Sequence, residues 1–277
     1  MKPLAALTHD DVAPLRGLLF DLDDTLLSHG VLTREAYDAI WSLHEAGLRL
    51  VAVTGRPASW GELVARQWPI DAAITENGAI ALVREGRSLS RIDGCDATER
   101  RSRRARLASI VERAREIVPE ARLADDVDGR ISDVAWDIGE RVKLPASRVE
   151  ALAEVVLAAG ARTTRSSVHL HATFDTVDKA SGVVRFLCDQ LDEDAGAALV
   201  RHAYVGDSPN DAACFAAFHL TVGVANVRPY ASRLSVPPRF VTEAPMGKGF
   251  AELARALIAL RSTTQGAPRF AAPAPPT

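Results

Sequence analysis

The feature that most constrains the fold is a rhythm. Short apolar runs of strand length alternate with helical stretches, and the runs stop abruptly at acidic or hydroxyl residues. Gly17–Phe20 is such a run, halted by Asp21-Leu22-Asp23-Asp24-Thr25, and reads as a buried strand followed by an acidic loop. From Thr33 to Ala46, Ala36, Ile40 and Leu43 follow helical spacing, and Gly47 supplies a stop. A second buried strand, Leu48–Val53, ends in Thr54-Gly55-Arg56-Pro57. A helix from Ser59 to Gln67 leads to a third strand, Ala72–Thr75, and the turn Glu76-Asn77-Gly78. Alternation with such short connections predicts a parallel sheet covered by helices.

The rhythm breaks after Ala81. Residues 84–104 are rich in Arg, Asp and Ser, and a helix over Ala105–Val118, a strand within Asp125–Glu140, a helix over Ser147–Ala159 and an alternating strand Ser167–Ala172 follow. The rhythm returns with a helix over Lys179–Leu191, a strand Ala203–Val205 ending at Gly206-Asp207-Ser208-Pro209-Asn210-Asp211, a strand near Leu220–Val224, an edge strand Phe240–Glu243 and a helix over Phe250–Leu260. The expected fold class is therefore α/β: a Rossmann-like core, its parallel sheet flanked by helices, with an inserted α+β module. The expected division is core at 1–83, insert at 84–173, core again at 174–261, and a Pro- and Ala-rich disordered tail at 262–277.

Composition enters mainly by exclusion. A hydrophobic share of 47% is too high for general disorder, and 277 residues suffice for a sizeable core. With 33 basic and 36 acidic residues, the net charge of −3 offers no global attraction to nucleic acid or an anionic membrane. The run Glu99-Arg100-Arg101-Ser102-Arg103-Arg104-Ala105-Arg106 reads as a solvated helix rather than a nucleic-acid patch. Every long apolar stretch is broken by charge, so no membrane span is expected, and no signal-peptide core is evident. Cys95, Cys188 and Cys214 are too scattered for a disulfide framework or a thiolate metal cluster, which suits a reducing cytoplasm.

Ligands of open α/β sheets bind beyond the carboxyl ends of the strands. Asp21, Asp23, Thr54, Asp207 and Asp211 all fall at that edge, and Lys179 begins a helix able to face it. Two carboxylates two residues apart in one loop can serve as nucleophile and as general acid/base. Hard oxygen ligands of this kind suit Mg²⁺. Lys179 and the Thr54 hydroxyl suit the oxygens of a phosphate. Turn and helix-cap roles are the competing account of each acidic group taken singly.

The same residues resemble the haloacid dehalogenase superfamily of phosphatases. LLFDLDDTLL matches its first motif, VAVTGRP its second, the lysine of DTVDKASGV its third and YVGDSPND its fourth. The resemblance implies Asp21 as nucleophile, Asp23 as acid/base, and Thr54 and Lys179 as phosphate-stabilising groups. It also implies Mg²⁺ held by Asp21, Asp207 and the Asp23 carbonyl, with Asp211 helping or orienting. The place of the insert, after ITENGA, resembles the C2-capped branch of Cof-type sugar phosphatases, sucrose-phosphate phosphatase and mannosyl-3-phosphoglycerate phosphatase. VTEAPMGKGF is similar to a late passage of the last group. Asp24 departs from the Gly that many branch members carry, and Ala180-Ser181-Gly182 departs from the usual Lys-Gly.

By this resemblance the expected activity is hydrolysis of a small phosphorylated metabolite, a sugar phosphate foremost, by a monomer or homodimer. A broad metabolite phosphatase, a phosphosugar mutase and a non-catalytic phosphosugar-binding protein are the alternatives. Expected substrate contacts are Arg56, Asn77, Arg130, Asp133, Arg165, His169, His171, Ser208 and Asn210. Solvated or internally bonded histidines are the competing account of His169 and His171, and Trp41 and Trp136 are expected to serve packing.

Overall fold

The computed structural model describes residues 1–166 and 168–262. The segment 263–277, most of the expected tail, lies outside the described residues, as does Ser167 of the expected strand Ser167–Ala172.

Two sheets organise the chain. The larger has nine strands in the order β1 (Lys2–Pro3), β13 (Phe240–Val241), β12 (Leu220–Gly223), β11 (His202–Gly206), β2 (Gly17–Phe20), β3 (Arg49–Val53), β4 (Ala72–Thr75), β5 (Ile80–Glu85) and β6 (Ser88–Asp93). Pairing is parallel from β1 through β4 and antiparallel for β5 and β6. The flanking helices are α1 (His9–Val12), α2 (Arg34–Glu45), α3 (Ala58–Gln67), α6 (Lys179–Leu191), α7 (Ala195–Arg201), α8 (Ala212–Ala217) and α9 (Met246–Ser262). Alternation along the buried strands divides the side chains between two faces. Leu18, Phe20, Leu50 and Ala52 pack in one layer with Ile40 of α2 and Phe250 of α9. Leu19, Val51, Val53 and Tyr204 join Val183 and Phe186 of α6 and Phe215 of α8 in the other.

The smaller sheet runs β7 (Arg122–Leu123), β8 (Asp133–Asp137), β10 (His169–Thr173), β9 (Arg162–Arg165), all antiparallel. Two helices, α4 (Ala97–Ile117) and α5 (Ala146–Ala158), cover one of its faces. Leu107 and Ile110 of α4, Leu152 and Val156 of α5, and Val134, Trp136, Leu170 and Ala172 of the sheet form a separate core. This unit is the cap.

The structure moves the near boundary of the insert. β5 and β6 form a hairpin (joined at Gly86, φ 63°) and extend the large sheet, so residues 84–93 belong to the core rather than to the cap. The hairpin alternates weakly because much of β6 is only half-buried. α4 also starts earlier than periodicity suggested, because the Asp96 carboxylate accepts the amides of Thr98 and Glu99 as an N-cap. Phe240–Val241 is not the edge, since Lys2–Pro3 pairs outside it. Trp136 is buried as expected, whereas Trp41 is 42% exposed, edge-on to Tyr37 and His44.

Candidate active site

The carboxyl ends of β2, β3, β4 and β11 converge with the start of α6. Asp21 leaves β2 with extended backbone and caps the tight turn Leu22–Leu26. Within that turn Asp24 has φ 53°, the left-handed region open to Gly without penalty and tolerated by Asp. Its amide-side geometry is held by the Asp24 carboxylate, which accepts the His29 N–H at 3.2 Å. The turn leaves Asp21 buried and Asp23 half-exposed.

Lys179 opens α6 behind the N-cap Asp178, and its buried ammonium lies 2.8 Å from Asp21 Oδ1 and 2.8 Å from Asp211 Oδ1. These two carboxylates hold the ammonium's pKa far above its ordinary value against the opposing effect of burial. Asp211 is enclosed by donors. Oδ1 also accepts the Tyr204 hydroxyl at 2.6 Å, and Oδ2 accepts the amides of Asp207 at 2.9 Å and Ser208 at 3.2 Å. Asp207 accepts the Thr25 hydroxyl at 3.2 Å and the Asn226 side-chain amide at 3.0 Å.

Oxygens of Asp21, Asp207 and Asp211 lie within 4.8 Å of one another. Burial, followed for Asp207 by the charges of Asp211 and Asp21, pushes Asp207 up to about 9. Burial raises Asp21 to about 7, with Lys179 pulling the other way and Asp211 and Asp23 adding to the rise. Three buried acidic groups share one ammonium, and the donor set is all hard oxygen. Such a cluster fits a divalent cation of the Mg²⁺ kind.

The second aspartate of the loop faces elsewhere. Asp23 receives Arg56 Nε at 2.9 and 3.0 Å and Nη2 at 2.5 Å, while the guanidinium lies 3.8 Å above the Trp60 ring. Thr54 is fully buried, and its hydroxyl accepts the Arg56 amide at 3.1 Å. Asn77 donates its amide to the Thr54 carbonyl at 3.1 Å, and its side-chain oxygen accepts from Asn210 at 3.4 Å. Ser208 and Asn210 therefore lie on the loop after β11, Ser208 joined through its amide to Asp211.

The cap residues expected at the substrate separate into two groups. His169 and His171 share the sheet face away from the cap helices, rings 5.9 Å apart and edge to face. His171 Nδ1 is 2.8 Å from Asp133, and His169 Nε2 is 2.9 Å from Glu140. Arg130 and Asp133 are buried and engage each other at 3.1 Å, and Arg130 also reaches the Gly55 carbonyl at 3.1 Å. Arg130 ties the cap to the core through Gly55, whereas the bonds of His169 and His171 stay within the cap. Arg165 is a correction. It stands opposite Leu170, on the helix-covered face, and pairs with Glu150 of α5 at 3.0 Å. The register of β9 on β10 puts it there.

Residue patterns alone missed four participants. Tyr204 shares its sheet face with the core beneath α6, a placement that strand alternation does contain. Thr25 stands inside the acidic motif. Asn226 comes from an irregular stretch with no pattern to mark it. Glu76 was legible only as a turn residue, yet its buried carboxylate reaches the cap.

Residues 18–93 match the family model described as haloacid dehalogenase-like hydrolase. A search of curated proteins found no match. Among solved structures, a Thermoplasma acidophilum protein superposes with TM-score 0.70 at 17% identity, covering 89% of this chain and 99% of that one. The sucrose-phosphatase of Synechocystis sp., solved with sucrose and phosphate, gives 0.63 at 15%, covering 88% and 98%. A haloalkanoate-superfamily phosphatase of Bacteroides thetaiotaomicron gives 0.61 at 22%, covering 89% and 95%. The matched segment is similar to the haloacid dehalogenase-like hydrolases, and the chain shares its fold with these solved structures over most of its length. Its core carries the acidic site, and an α+β cap is inserted after β6.

Proposed function

We propose that the protein is a Mg²⁺-dependent phosphomonoesterase that works through an aspartyl-phosphate. The observation that carries this reading is the buried Asp21 carboxylate, 2.8 Å from Lys179, in a cluster with Asp207 and Asp211. Asp21 attacks phosphorus in line, and the ester P–O bond breaks as Asp23 donates a proton to the departing alcohol. Asp23, now a carboxylate, takes a proton from water. That water attacks phosphorus, the Asp21–phosphorus bond breaks, and inorganic phosphate leaves. Lys179 and the Thr54 hydroxyl stabilise charge on the phosphoryl oxygens.

Asp21, Asp207 and the Asp23 carbonyl would hold Mg²⁺, with Asp211 fixing the loop through its four donors. When bound, the ion supplies positive charge that lowers repulsion between carboxylate and phosphate. Arg56 Nε and Nη2 occupy the Asp23 oxygens in the present arrangement, so proton transfer at Asp23 requires the Arg56 fork to open.

The substrate is a phosphorylated sugar or sugar derivative, with mannosyl-3-phosphoglycerate the first candidate. Support comes from the cap, the resemblance of VTEAPMGKGF, and the sucrose-phosphatase among the structural neighbours. Three free cysteines suit a cytoplasmic setting. The test is phosphate release and product isomerisation over a panel of hexose phosphates and glycosyl phosphoglycerates, with and without Mg²⁺. Release confined to sugar phosphates supports the reading. Isomerisation without net release contradicts hydrolysis in favour of a mutase. Neither reaction on any member contradicts catalysis altogether.

A further inference from the structure

We propose that Glu76 is a positioning residue, holding the cap in register over the catalytic loops and thereby setting the preference for substrates whose leaving group reaches the cap. The preference for such substrates rests on the phosphatase reading above; the registration of the cap does not.

Glu76 sits on the core side, directly after β4, and is 4% exposed. Its carboxylate accepts five hydrogen bonds. Oε1 takes the Ala58 amide at 3.0 Å and the Ile131 amide at 2.9 Å. Oε2 takes the Ser132 amide at 2.5 Å, the Ser132 hydroxyl at 2.6 Å and the Asp133 amide at 3.3 Å. One donor opens α3 of the core, and four belong to the cap segment entering β8. None of the five is a charged group, so the bonds specify position rather than neutralise charge.

The backbone there is equally unusual. Glu76, Asn77 and Gly78 have φ of 50°, 55° and 105° in succession. Glu is not a residue that favours the left-handed region, so the surrounding contacts over-determine this turn. Those contacts lead to the catalytic groups. The Asn77 amide binds the Thr54 carbonyl at 3.1 Å. Gly78 lies against the start of α6 so closely that a Cβ would stand 2.3 Å from the Asp178 carbonyl, one residue before Lys179. A single turn therefore grips the cap through residue 76 and the loops of Thr54 and Lys179 through residues 77 and 78. Nearby, Gly129 of the cap meets Ser59 of α3, where a Cβ would stand 2.1 Å from the Ser59 hydroxyl oxygen. The seat tolerates little displacement.

The experiment uses the full chain and the isosteric variant Glu76→Gln. All five partners are donors, so the amide NH₂ faces donors whichever way it turns. The kcat/KM for a hexose phosphate is expected to fall about tenfold more than that for acetyl phosphate, a small substrate without a sugar to seat. Amide exchange at Ile131, Ser132 and Asp133 is expected to accelerate about tenfold, with β2 and β11 unchanged. Ser132→Ala, which removes one donor, is expected to shift the same ratio in the same direction by about twofold, and covers the case in which Glu76→Gln does not fold. Equal loss for both substrates at a temperature where the variant is folded would overturn the preference. Unchanged exchange at 131–133 would overturn the registration. If the unaltered protein releases no phosphate, the phosphatase reading falls, and the exchange result still decides the registration.

Discussion

Asn226 joins more of the site than its neighbourhood in the sequence suggests. Its side-chain amide donates to Asp207 Oδ2 and to the Asp24 carbonyl, and its oxygen accepts the Met246 amide, each at 3.0 Å. It therefore aims one carboxylate, steadies the loop that carries Asp21 and Asp23, and ties both to the start of α9. Partners of this kind typically change metal affinity by about 10- to 100-fold. Asn226→Ala is accordingly expected to raise the Mg²⁺ concentration for half-maximal activity by about that factor, read from a Mg²⁺ titration of phosphate release. Nothing in the residue pattern around 226 announced this role, because the bonds close over 19 and 202 residues of chain. Asp21, Asp23, Thr54, Lys179, Asp207 and Asp211 were legible for the opposite reason. Each stands where an apolar run breaks or a helix begins, so local pattern alone places it at the carboxyl edge.

Among the elements, α4 shows how a charged run conceals a structural device. The expectation of a solvated arginine helix holds for Arg101 and fails for Arg100. Arg100 is buried, with Nη1 2.6 Å and Nη2 3.1 Å from Asp175 and with Nε and Nη2 on Asp93 at 2.9 and 2.5 Å. Asp93 ends β6, where the chain enters the cap, and Asp175 follows β10, where it leaves. One guanidinium thus ties both crossings, and Arg103 brings a second guanidinium to Asp175 at 2.8 Å. Arg100→Met strips Asp93 of its ion pair and leaves Asp175 with Arg103 alone, so a loss of about 3 kcal/mol is expected in denaturant unfolding. Burial raises the Asp93 carboxyl, but its bonds and Coulomb attraction to Arg100 outweigh that and leave it lowered. A lowered folded pKa contributes stability that is present above the unfolded value of about 3.9 and is lost as pH falls through the folded value. The stability gap between the protein and Arg100→Met is therefore expected to narrow below about pH 4, measured by thermal unfolding of both proteins across that range. A gap that widens with acid would contradict the clamp.

At the scale of the whole molecule, the division of labour between sheet and cap was legible, and the seam between them was not. Alternation of strands and helices marks the core because its central strands are buried and mostly apolar. The seam is built from pairs such as Glu76 with Ser132 and Arg130 with Gly55, separated by 56 and 75 residues, and from a hairpin that prolongs the core sheet past the point where the rhythm breaks. Such pairs depend on a tertiary arrangement that periodicity does not encode. The same limit explains Arg165, whose face follows from the register of β9 on β10.

The catalytic core can be questioned separately from the cap, because Asp21 is the one group assigned to form a bond with phosphorus. The most direct measurement is Mg²⁺-dependent phosphate release by the Asp21→Asn variant beside the unaltered protein, on the best substrate of the panel. Loss of at least about a thousandfold in kcat, with the variant still folded by circular dichroism, is the expected result. Full activity in the variant would contradict the assignment of Asp21 as nucleophile and with it the aspartyl-phosphate route.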